Sequence, residues 1–108
     1  MSRARFDPEL LDPSDPFEID DANRPHLAKH SRHTDADLLD LWGDGNLLFA
    51  EAAADGPADW ILIAALPGGE VIQVPLAPPR RGDWSRCRPI GIYPANQSQQ
   101  RLYREHSR

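Results

Sequence analysis

A chain of 108 residues and 12.1 kDa has room for one compact domain, because domains commonly run to about 100–200 residues, and a two-domain reading is excluded. Hydrophobic residues make up 40%, enough for one core, but no apolar run exceeds the eight residues from Trp60 to Pro67, far below the roughly 18–20 needed to cross a bilayer. The formal charge of −5 argues against a general nucleic-acid binder, and the single cysteine, Cys87, excludes an internal disulfide and any thiolate-rich zinc site.

Residues 1–16 read as an extended or disordered acidic arm, because DPELLDPSDP is proline-rich and charged with no usable periodicity. No hydrophobic stretch follows Arg3 and Arg5, so a secretory signal is not expected and the default compartment is the cytoplasm. Phe17 to Asp20 suit a short first strand. Asn23 is placed as a helix N-cap, with Pro25 tolerated in the first turn, and a short helix is predicted through His26, Leu27, Ala28, Lys29 and His30. Thr34 and Asp37 resemble a capping box, and Leu38, Leu41 and Trp42 fall on one helical face before Gly43 and Gly45, which predicts a second helix over about residues 35–43.

From there the period falls to two. Strands are predicted at 46–52, 60–66 and 70–77, with a turn at Asp55, Gly56 and Pro57 and a hairpin at Pro67, Gly68 and Gly69. Pro75 lacks a ladder donor, so its strand should have a free edge or a bulge there. Residues 78–83 form a loop, 86–93 a last strand, and Asn96 with Gln99 caps a polar C-terminal helix. The order β-α-α-β-β-β-β-α describes an α+β domain over residues 17–108, with a mostly antiparallel sheet.

Charge is segregated along the chain: residues 1–21 carry −5, 22–33 carry +3, 34–59 carry −7 and 80–108 carry +5. A local positive face can therefore attract an anion despite the net charge. Arginine outnumbers lysine eleven to one; this suits bidentate phosphate contacts and is equally what a GC-rich coding sequence produces.

Residues 17–42, FEIDDANRPHLAKHSRHTDADLLDLW, resemble the opening of the BrnT family of bacterial toxins, through Phe17, Glu18, Asp20, Asn23, Arg24, Leu27, Lys29 and His30. RPIGIY then stands where that family has its last strand, and Arg101 to Glu105 where it has a charged terminal helix with a tyrosine. The resemblance implies a RelE-like fold and a metal-independent, cofactor-free endoribonuclease, the toxin of a type II toxin–antitoxin system neutralised by a ribbon-helix-helix antitoxin. On that likeness Arg88 stabilises phosphorane charge, and Lys29 and His30 lie beside it. Tyr93, where the family carries a second arginine, is a possible proton donor and equally a packing residue. RNA contacts fall to Arg80, Arg81, Arg86, Arg101 and Arg104. Ala77, Pro78 and Pro79 replace a polar, acidic patch of the family, so the alternative is a catalytically inactive protein-interaction module or a homodimer paired through its apolar strands.

Other signals have two readings each. His26 and His30 have the i, i+4 spacing of metal ligands but lack a third, so no metal is assigned. Cys87 between Arg86 and Arg88 is either an activated thiol or a buried structural one. The acids at 35, 37, 40 and 44 are two pairs for Mg²⁺ or one solvated helix face. Trp42 and Trp84 offer rings on which a base can stack, though Trp42, on the apolar helix face, is better explained by packing.

Overall fold

The computed structural model describes residues 5–29, 33–41 and 47–106; His30, Arg32 and Trp42 to Asn46 lie outside them. The elements are a 3-10 turn at Pro8–Leu10, helix α1 (Arg24–Leu27), helix α2 (Asp35–Leu41), strands β1 (Leu48–Glu51), β2 (Trp60–Ala65), β3 (Val71–Ala77), β4 (Arg88–Pro89) and β5 (Tyr93–Pro94), and helix α3 (Gln97–His106). The sheet runs β1-β2-β3-β4, with β5 also on β3, and every strand pair is antiparallel. This is the expected α+β layout with a C-terminal helix. No helix among the described residues is long and apolar enough to cross a membrane.

Alternation in β3 decides which face is inside. Ile72, Val74 and Leu76 are buried, while Val71, Gln73, Pro75 and Ala77 are only partly so. The buried face joins Leu62 and Ala64 of β2, Leu27 of α1, Leu38 and Leu41 of α2, and Phe17, Cys87 and Ile92. Each such aliphatic side chain contributes about 1.5–3 kcal/mol of transfer free energy.

The last predicted strand is broken in two. Leu76 pairs with Pro89 and Ala77 with Arg88, but Gln73 pairs with Tyr93 and Ile72 with Pro94. Two residues of β3, Val74 and Pro75, therefore oppose Ile90, Gly91 and Ile92, which is a β-bulge. The cause is Pro75: its carbonyl accepts from Ile90 N–H at 3.0 Å, so its missing N–H also faces this side and the ladder slips there. One extra residue reverses the alternation. Arg88 and Tyr93, five apart, consequently share a face, because their partners Ala77 and Gln73 are four apart on β3.

The expected strand at 17–20 is a single parallel bridge between Phe17 and Cys87. Cys87 N–H donates to Pro16 O and Glu18 N–H to Cys87 O. Pro89, which has no N–H, ends that ladder, and Asp20 turns the chain away by accepting from the N–H groups of Ala22 and Asn23.

Residues 5–16 are packed and do not form a free arm. Phe6 and Leu11 are in the core, Phe6 N–H donates to the buried Asp59 carboxylate at 3.0 Å, and the Trp60 indole N–H donates to Phe6 O at 2.8 Å. Asp12 N–H reaches Ser85 O, and the Arg5 guanidinium lies over the Trp60 ring. Two apolar side chains with three backbone hydrogen bonds outweigh a disorder-prone composition. At α3 the predicted capping box is complete, Asn96 and Gln99 exchanging bonds of 2.9 and 2.8 Å. At α2 Thr34 N–H donates to Asp37 as predicted.

Candidate functional site

Helix α1 is short, and its start is set by a buried amide. Asn23 occupies the N-cap position without capping. Instead its Nδ2 donates to the carbonyls of Glu18 and Pro89 at 3.0 and 3.1 Å, and its Oδ1 accepts from Asp20 N–H at 2.8 Å. One side chain thus ties segment 18–20, β4 and α1 together. It replaces the expected cap because two buried carbonyls otherwise have no donor.

Beside it, Arg88 enters between two carboxylates. Its Nη1 and Nη2 meet the two oxygens of Asp20, each at 2.9 Å, and Nη1 also donates to Glu18 at 2.8 Å. The Arg88 and Glu18 side chains are only 6% and 3% exposed, so the pair is withdrawn from solvent. Glu18 further accepts from the backbone N–H groups of Arg80 and Arg81 at 3.0 and 3.2 Å. Arg81 reaches Asp20 at 3.7 Å.

The ionisation follows from these contacts. Burial alone pushes the Glu18 carboxyl up, but the Arg80 N–H, the Arg88 guanidinium and the Arg81 N–H outweigh it, and the carboxyl lies below its ordinary value. Asp20 is held well below the carboxylate range by Arg88, against burial and with help from the Ala22 and Asn23 N–H groups. Arg88 is raised by Asp20, against the opposing effect of burial and with Glu18 adding to the rise. Burial pushes the Cys87 thiol up despite Arg86, which makes it a structural thiol and no nucleophile.

Between α1 and the β3–β4 end of the sheet lies a hollow of about 370 Å³. Its polar lining is Asn23, His26, Lys29, Arg80, Arg88 and Tyr93, and its apolar lining is Ala22, Pro57, Ala77, Pro78, Pro89 and Ile90. Lys29, His26 and Arg80 are exposed, and Lys29 and Arg80 make no ion pair among the described residues. Tyr93 folds back over Gly91: a Cβ there would stand 2.8–3.0 Å from the phenol ring, so the bulge glycine makes space for it. The hollow therefore offers two cations and an imidazole above an apolar floor, a setting for an anion attached to an apolar group.

Four of the sequence-predicted residues, Lys29, Arg88, Tyr93 and Arg80, are brought together here, and Arg81 touches the frame. His30 lies outside the described residues. Arg86 turns elsewhere, donating to Phe17 O at 2.6 Å and pairing with Asp15 at 3.4 Å. Arg101 and Arg104, on α3, do not line the hollow. Arg88, the residue that the resemblance assigns to phosphorane charge, has both Nη atoms held by Glu18 and Asp20. Those two acids and Asn23 form the frame; the sequence assigns Glu18 and Asp20 no role of their own and Asn23 only that of a helix cap. Their signal was present, since all three belong to the F-E-x-D and N-R matches quoted above. Among the described residues no group of three or more His, Cys, Asp or Glu is placed to hold a metal ion. No protein-family model, curated protein or solved structure matches this chain.

Proposed function

We propose that this chain is the toxin of a two-protein toxin–antitoxin pair, with a RelE-like fold of the BrnT kind, and that it acts on RNA at the hollow beside α1. What supports the reading is that Lys29, Arg80, Arg88 and Tyr93, separated by up to 64 positions, line one cavity. The roles differ from the sequence expectation. Arg88 is a framing residue, since two carboxylates already hold both its Nη atoms. Lys29 and Arg80 meet the phosphate, and His26 or Tyr93 handles the proton. In metal-independent cleavage the ribose 2′-oxygen bonds to phosphorus as its proton leaves to a base, and the P–O5′ bond breaks as the leaving oxygen takes a proton. The antitoxin, a ribbon-helix-helix protein on this reading, would neutralise the toxin by covering the hollow.

A second reading is favoured by the closed fork of Arg88: a module that binds through the hollow without cleaving. One experiment separates the two. Expression of the chain alone in bacteria, with RNA ends mapped, is expected to arrest growth and to yield new 5′ ends. Lys29→Ala with Arg80→Ala should abolish both. Normal growth with soluble wild-type protein present overturns the toxin reading; RNA binding without new ends leaves the module.

A further inference from the structure

The loop between β3 and β4, residues 78–87, is fastened at both ends. Glu18 holds the N–H groups of Arg80 and Arg81. At the other end Asp83 accepts from Ser85 N–H and Oγ at 3.1 and 2.6 Å, Arg86 N–H donates to Asp83 O, and Asp12 N–H donates to Ser85 O. Gly82 takes the bend between them at φ +80°, a conformation that side chains other than glycine rarely adopt.

Among the described residues four large apolar side chains are exposed, Leu10, Leu39, Trp84 and Leu102, and the one aromatic ring among them stands on this turn. Trp84 is 47% exposed, and the side chain of Arg81, three positions before it, is 71% exposed. Arg80 is exposed too and belongs at once to the loop and to the wall of the hollow. The nearby acids do not cancel them evenly: Asp83 is turned onto Ser85, and Asp20 is shared mainly with Arg88. An exposed indole on the same fastened loop as two exposed arginines combines a face on which any base stacks with cations for the neighbouring phosphates. A duplex buries its base faces and offers no such partner.

We propose that this loop binds an unpaired RNA strand at the mouth of the hollow, with one base stacked on Trp84 and the neighbouring phosphates on Arg80 and Arg81. The proposal rests on the RNA-directed reading above and adds to it a strand state and a stacking platform.

The test titrates the full chain at low salt with a six-nucleotide adenylate RNA, a matched RNA duplex and inorganic polyphosphate, following tryptophan emission and affinity. The adenylate strand is expected to quench emission in wild type, polyphosphate is not, and Trp84→Ala should remove the quenching. Trp84→Ala should weaken the adenylate strand about tenfold and polyphosphate less than twofold, in keeping with the cost of losing one stacked base. Trp84→Phe, which keeps a ring, should retain most of the binding. Equal adenylate affinity in wild type and Trp84→Ala overturns the proposal and leaves the RNA reading standing. So does duplex binding as tight as that of the single strand. Absence of adenylate binding to wild type at low salt overturns both.

Discussion

Arg88→Ala distinguishes a framing arginine from a free catalytic one by its effect on stability. In the folded chain Arg88 makes three charge-assisted bonds of 2.8–2.9 Å, and its removal leaves the Glu18 carboxylate, 3% exposed, with only two backbone N–H partners. Breaking one side of a buried ion pair typically costs about 3–5 kcal/mol. A small domain has about 5–15 kcal/mol in total, and each kcal/mol lowers Tm by about 4–8 °C at this size, so the midpoint should drop by at least about 12 °C. Thermal and urea unfolding, read by circular dichroism, measure this. Arg88→Met combined with Glu18→Gln should recover part of the loss, because the buried acceptor is then neutral and keeps one N–H bond. A variant within about 0.5 kcal/mol of wild type, the usual range for surface positions, would refute the framing role.

Three other perturbations probe the same architecture. Both carboxyls of the frame lie below their ordinary values of 4.5 and 3.8, so the unfolded chain binds more protons than the folded one in acid. Their stabilisation is complete above those values and is lost as pH falls through the lower folded ones; unfolding midpoints should drop steeply below about pH 4 in wild type and less steeply in Arg88→Met/Glu18→Gln. Phe6→Ala empties a fully buried site and should cost about 3–5 kcal/mol in urea unfolding, whereas a free arm would give no change. Gly91→Ala forces the Tyr93 ring off its seat, which should move the Tyr93 ring resonances in NMR spectra while stability changes by less than about 1.5 kcal/mol, the cost of an off-rotamer side chain.

The strands were legible because alternation and turn residues are local: the three inward residues of β3 follow from Ile72, Val74 and Leu76 alone, and the bulge from the missing N–H of Pro75. The arm was not legible. Phe6 and Leu11 are isolated apolar residues in a charged, proline-rich stretch, and their burial depends on Asp59, Trp60 and Ser85, all remote in sequence. The same distance hid the frame. Glu18, Asp20 and Asn23 stand out as residues of a resemblance, but the pairing of the two acids with Arg88 and of Asn23 with Pro89 spans about 66–70 positions and leaves no local pattern. Segment charge overstates the free positive face for this reason: Arg88 and Arg86 are spent on Glu18, Asp20 and Asp15, and the cations without an ion pair at the hollow, among the described residues, are Lys29 and Arg80.

The salt dependence of single-stranded RNA binding tests that last statement directly. Each phosphate engaged by a cation on a single strand contributes about 0.7 to the slope of log affinity against log salt. Lys29→Ala with Arg80→Ala should therefore lower the slope by about 1.4, while Arg101→Ala with Arg104→Ala, on α3, should leave it unchanged. An unchanged slope in the first variant, or an equal fall in the second, would contradict the account.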